Sequence, residues 1–99
     1  MPLEIEYGPK ARADLYAIWS YIAADNPSAA DKLISRFTGI FTSLAANPML
    51  GRPREELRPG LRSFPHGRYV IYYREVEQSL RLLRILSSYR DVTPEMMVE

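Results

Sequence analysis

Between Pro9 and Pro48 the apolar residues recur three and four apart, and that period breaks only once, at Asp25-Asn26-Pro27. No other feature narrows the possible folds of this chain as much. Ala11, Leu15, Ile18, Trp19 and Ile22 share one stripe; Leu33, Ile34, Phe37, Ile40, Phe41 and Leu44 share a second. Two amphipathic helices, each with one buried side, follow from that spacing. Pro9 suits a first helical position, and so does Pro27, with Asn26 before it as N-cap and Asp31 near the positive helix end. The first helix should run to about Asp25, and Asn47-Pro48 should end the second, because a residue before proline is pushed out of helical geometry. So short a turn between them predicts an antiparallel helical hairpin.

On either side of the hairpin the period is two. Leu3, Ile5 and Tyr7 alternate with Glu4 and Glu6, as in a half-buried strand that Gly8-Pro9 stops. After the arginine-rich stretch from Gly51, "LRSF" and "RYVIYYR" are dense in aromatic and β-branched residues and should pair across a turn at "PHG". "EVEQS" reads as the next turn and "LRLLRILSSY" as a last strand. The expected fold is α+β: an N-terminal strand, a helical hairpin, then a three-stranded antiparallel sheet, in the order β-α-α-β-β-β. Residues 1–99 should form a single domain, with 92–99 a tail that is disordered alone and ordered in a complex.

The strands carry an unusual signal. One face of "RYVIYYR" holds Tyr69, Ile71 and Tyr73 and the other Val70 and Tyr72; one face of "LRLLRIL" holds Leu80, Leu82 and Leu86 and the other Leu83 and Ile85. Both faces are apolar, whereas a helical hairpin can cover only one side of a sheet. Either tyrosine hydroxyls and arginine stems serve as a solvent face, or something else covers it. Recurrence on two neighbouring strands favours a covering partner.

Composition bounds the chemistry. With no cysteine, disulfides, thiolate nucleophiles and iron-sulfur clusters are excluded, and a reducing cytoplasm fits. No secretory leader and no membrane-length apolar run is visible. No glycine-rich phosphate loop or metal-ligand cluster appears, so no cofactor and no metal is expected. The net charge is only +1, too small for broad electrostatic binding of nucleic acid. Its distribution is uneven, since nine arginines face four glutamates between Gly51 and Arg90, while the preceding part is near neutral. The lone histidine, His66, falls in a predicted turn, and Trp19 falls on the packing stripe of the first helix.

"ARADLYAIWSYIAADNPSAADKLISRF", "LAANPMLGRPREELRPGLRSFPHGRYVIYYR" and "LRLLRILSSYRD", in that order and spacing, resemble the ParE branch of the bacterial ParE/RelE toxin superfamily, from about Tyr7 to Asp91. The resemblance implies the same helical hairpin on a small antiparallel sheet. It also implies the toxin of a type II toxin-antitoxin pair, a gyrase inhibitor rather than an enzyme. The partner implied is a ParD-like ribbon-helix-helix antitoxin, forming a hetero-oligomer that reaches DNA only through antitoxin or gyrase, with no membrane role. On that reading Trp19, Arg52, Arg54, Arg58, Tyr69, Ile71, Tyr73 and Leu82 face the antitoxin, and Arg62, Arg68, Arg84 and Arg90 face the target. Arginine forks suit carboxylates on either partner.

RelE-type relatives share this fold but cleave messenger RNA on the ribosome, which needs a base, an acid and cations on the phosphate. Glu56 would be the base, Arg54, Arg62 and Arg68 the phosphate clamps, and Tyr89 the acid. Against this, Ser87-Ser88 stands where many such nucleases, and many ParE proteins too, place a histidine after the last strand, and no lysine follows Lys32. Glu55 and Glu56 also read simply as counterions to the arginines around them.

Overall fold

A computed structural model describes residues 1–99. Strand β1 (Glu4–Tyr7) leads into helices α1 (Pro9–Ala23) and α2 (Pro27–Ala46), then β2 (Arg52–Pro53), β3 (Leu61–His66), β4 (Tyr69–Val76) and β5 (Ser79–Ser87). Single 3₁₀ turns occupy Pro48–Leu50 and Pro94–Met97. The α+β class and the order of the main elements are as the sequence predicts, but the sheet has five strands in the order β1-β5-β4-β3-β2, not three. Two additions account for the difference. β1 returns to lie parallel to β5, with Ile5 opposite Leu80 and Tyr7 opposite Leu82, and the short β2 pairs with Arg62 and Ser63 of β3. Alternation marks a strand but does not name its neighbour.

The hairpin forms as its caps dictate. The Asn26 side chain accepts from the Ala29 amide at 3.1 Å, and Pro27 opens α2. Leu33, Ile34, Phe37, Ile40, Phe41 and Leu44 all pack into or against the core between hairpin and sheet, with Ile71, Tyr73, Leu80, Leu82 and Ile85 beneath them. Phe37 and Phe41 stack nearly parallel, and Tyr69 and His66 both meet the Phe37 ring edge-on. His66 therefore belongs to β3. The turn that follows it is Gly67-Arg68, with Gly67 at φ 57°, a left-handed value that favours glycine.

Two close approaches join helices and sheet. The Gly8 amide donates to the Leu82 carbonyl at 3.0 Å, and a Cβ at Gly8 would lie 2.7 Å from that oxygen. Beyond Leu82 no strand covers that edge of β5. Asp14 of α1 takes over, its carboxylate accepting from the Ile85 amide at 3.0 Å and from both ends of the Arg84 fork at 2.7 and 3.0 Å. A β-bulge shifts the β4–β5 register between Tyr72 and Tyr73, so that Tyr72 faces Arg84, Tyr73 faces Leu82, and Leu83 is the extra residue.

A second, smaller core lies on the other side of the sheet. Leu57, Leu61, Tyr72, Leu83, Leu86 and Met97 are buried together, with Val70, Val92 and Met96 against them. Its cover comes from the chain itself, namely the loop between β2 and β3 and the C-terminal segment. Where the sequence suggested a disordered tail, Met97 is 1 % exposed. The physical cause is the doubly apolar sheet, whose outer side offers Met96 and Met97 a surface to bury.

Candidate functional site

The outer core is ringed by arginines, and the loop between β2 and β3 sets that ring. Arg54 and Leu61 close the loop through the Arg54 amide and Leu61 carbonyl at 2.8 Å, and the Glu55 carboxylate accepts from the Gly60 amide at 2.9 Å. Closed this way, the loop turns Leu57 inward and leaves Arg54 and Arg58 on the rim. The Arg54 guanidinium lies over the Tyr72 ring, 5.7 Å from its centroid, and donates to Glu56 at 2.8 Å. That hydrogen bond holds the Glu56 carboxyl below its ordinary range and raises the Arg54 guanidinium.

Further along the rim, Arg58 donates to the Met97 carbonyl at 2.8 Å. Arg58, Arg74 and Arg81 each lie 3.0 Å from the Glu99 carboxylate. Burial works to raise the Glu99 carboxyl, but the Arg81 hydrogen bond and the charges of Arg81, Arg58 and Arg74 outweigh it, and the net shift is downward. Arg81 also binds Glu6 of β1, and these two carboxylate bonds raise its own pKa. Arg84 completes the ring, joined to Asp14 on one side and to the Met96 carbonyl at 3.3 Å on the other.

The residues expected at the antitoxin face divide sharply. Ile71, Tyr73 and Leu82 are fully buried beneath the hairpin and have no exposed atom to give a partner. Tyr69 is half-buried against Phe37. The outward apolar side chains are instead Val70 and Tyr72, by period-two alternation with Ile71 and Tyr73, and Leu83 and Leu86, because the bulge at Leu83 resets the alternation of β5, turning Leu86 outward and Ile85 inward, the reverse of what the sequence spacing predicts. Trp19 sits at the hairpin margin, 36 % exposed, its indole donating to Asp31 of α2 at 2.9 Å. Arg54 and Arg58 belong to the rim, and Arg52 is exposed on β2.

The expected target residues also separate. Arg62 donates to the Gly51 carbonyl at 2.7 Å and to the Met49 sulfur at 3.2 Å, and Arg84 is clamped to Asp14, so both have structural partners. Arg68 and Arg90 are exposed, without an ion pair, at one end of the sheet, where the Ser88 amide ties the last turn to the Arg68 carbonyl at 2.7 Å. Tyr89 stands beside them, 86 % exposed. The Arg54 guanidinium, with Glu56 held beside it, instead reaches Ser63 in the middle of β3 at 3.4 Å, three residues or about 10 Å before His66 at about 3.3 Å per residue. The nuclease set is therefore split between two places.

Asp14, Leu57, Met97 and Glu99 carry much of this arrangement and were not anticipated. Only Met96-Met97 followed by Glu99, in a chain rich in arginine, left a visible trace.

Comparison with known proteins accords with this geometry. The family model described as the ParE toxin of type II toxin-antitoxin system, parDE, matches residues 5–92. Toxin ParE1 of Mycobacterium tuberculosis is 30% identical over 86 residues, covering 85% of this chain and 88% of that toxin. Toxin ParE3 of Caulobacter vibrioides is 35% identical over 63 residues, a match spanning 64% of this chain and 63% of that toxin. Toxin RelE3 of the same organism is 33% identical over 85 residues, covering 85% of this chain and 92% of the relative. Among solved structures, the chromosomal ParDE toxin-antitoxin system from P. aeruginosa superposes with a TM-score of 0.70 at 24% identity, over 86% of this chain and 95% of that one. With the hairpin, the sheet and a family match over nearly all of its length, the chain belongs to the ParE family of type II toxin-antitoxin toxins.

Proposed function

We propose that this toxin arrests growth by binding DNA gyrase, without chemistry of its own, and that a ParD-like antitoxin neutralises it by covering its apolar and arginine surfaces. What supports this over the nuclease reading is the division of the candidate catalytic residues. A general base works best with a pKa near the operating pH and within reach of the acid that completes the reaction. Glu56 is held low by Arg54, whose guanidinium reaches Ser63 in the middle of β3, while Tyr89 stands beyond His66, next to the Ser88 amide that bonds the Arg68 carbonyl. Arg68 and Arg90, exposed and without counterions, are left as the cations best placed to meet an acidic surface on a target.

The test is induced expression without antitoxin, scoring growth arrest, gyrase-DNA cleavage complexes and new messenger RNA ends together. Cleavage complexes with intact messages are the expected result. Codon-linked message cuts would sink the gyrase reading in favour of a RelE-like ribonuclease, an activity suggested by the 33% identity to toxin RelE3.

A further inference from the structure

From Phe37 to Gly51 the chain carries no charged residue, although much of that stretch is exposed along the second half of α2 and the turn after it. A solvated helix face is normally charged. Here Thr38, Thr42 and Ser43 turn their hydroxyls back onto the Ile34, Thr38 and Gly39 carbonyls of the same helix, at 3.0, 3.0 and 3.2 Å. Met49 is 68 % exposed and Leu50 50 %. Gly39 lies inside α2, where glycine is destabilising relative to alanine. No atom stands within 4 Å of where its Cβ would be, so packing within this chain does not require a glycine. Beside it opens a groove of about 350 Å³ between α2 and β3, walled by Ile40, Leu50 and Phe64 and by Arg36 and His66. Arg36 is exposed without an ion pair, and Arg68 follows His66 by two residues.

We propose that this groove docks an acidic and apolar segment of gyrase, whose backbone lies against Gly39. Its apolar side chains pack on Ile40, Leu50 and Phe64, and its carboxylates meet Arg36 and, beyond His66, Arg68. Charge decides the sign of the occupant. The only formal charge on the walls is that of Arg36, and the nearest unpaired charge past His66 is again an arginine, so an acidic segment is attracted where a basic one is repelled. Gly39 decides how closely it lies, because a backbone can approach a glycine more nearly than any side chain would permit. An uncharged, partly apolar surface with a cationic margin is what a protein interface presents before its partner arrives. The groove shares no residue with the arginine ring around the outer core. This inference rests on the gyrase reading and adds the surface by which gyrase is held.

The test titrates the purified full chain and its variants against gyrase and DNA, scoring cleavage complexes, with binding to a ParD-like antitoxin measured beside it. Gly39→Gln and Gly39→Glu add nearly equal bulk and differ in charge. Each replaces glycine by a better helix former, so both should melt at or above the temperature of the parent. The concentration giving half-maximal cleavage complexes should rise about tenfold for Gly39→Gln. It should rise about tenfold more for Gly39→Glu, since an acid there neutralises Arg36 three positions back and repels an acidic segment. Antitoxin affinity should change less than about threefold. Leu50→Gln, on the groove wall, should act as Gly39→Gln does and stands in if that variant does not fold. Equal losses for Gly39→Gln and Gly39→Glu would overturn the proposal, because the occupant would not be acidic. A matching loss of antitoxin binding would also overturn it and assign the groove to the antitoxin. A parent chain that traps no gyrase overturns the gyrase reading and this inference together, whereas folded variants as active as a trapping parent overturn this inference alone.

Discussion

Tyr73 illustrates how one hydroxyl can hold a connection in place. It donates to the Pro48 carbonyl at 2.7 Å and accepts from the Gly51 amide at 2.8 Å, both across the start of the arginine stretch. Burial is the main cause of its raised pKa, and the Gly51 bond only partly offsets it. Tyr73→Phe should leave a buried amide without a partner and cost about 1–3 kcal/mol, read as a lower denaturant midpoint at unchanged slope. The arginines give a second expectation at this scale. Arg84→Ala strands Asp14 in a site where both side chains are only 14% exposed. It should cost about 2 kcal/mol and lower the melting temperature by roughly 8 °C or more. Arg68→Ala and Arg90→Ala should leave the melting temperature within about 2 °C while relieving growth arrest. Equal thermal losses in all three would show that the exposed pair is structural too.

Among the elements, the edge of β5 is managed by a helix. β1 ends at Tyr7, Gly8 turns the chain against Leu82, and Asp14 then supplies the acceptor that a neighbouring strand would have given Ile85. Asp14→Ala should therefore loosen α1 and the second half of β5 together, with faster hydrogen exchange at Ile85 and a cost of about 2–4 kcal/mol. The C-terminal segment should open as a unit of its own, and its attachment should depend on pH. Glu99 has a folded pKa below the unfolded carboxylate value of about 4.3, so its contribution is present above that value and is lost as pH falls through the folded one. Acidification below about pH 4 should expose Met97 before the hairpin core opens, detected as faster exchange at Met96 and Val98 while β4 amides stay protected. Simultaneous loss of both would mean that the segment is part of one cooperative unit.

Across the whole molecule, one sheet serves two cores of unequal strength. The hairpin side buries Phe37, Phe41, Ile71, Tyr73 and Leu82 almost completely, while the outer side is closed by a loop and a short terminal segment. Much of this was legible in the sequence. Helical period, proline starts and the Asn26 cap are local signals, and each gave the right element within about two residues. The doubly apolar strands correctly announced a second buried face. They did not say that the chain would cover it itself, because Met97 and Leu57 meet only after the sheet has formed.

The sequence by itself determined the hairpin, the strands, the arginine excess and, through its motifs, the family. Those depend on spacing within a few residues or on the order of short blocks. Only the tertiary structure decided which arginines are occupied and which are free. Arg84 finds Asp14 from 70 positions away, Arg81 finds Glu6 from 75, and both pairs exist because β1 and α1 fold back beside β5. Ion pairing is fixed by distance in space, and no local pattern in a chain records which distant carboxylate a guanidinium will meet.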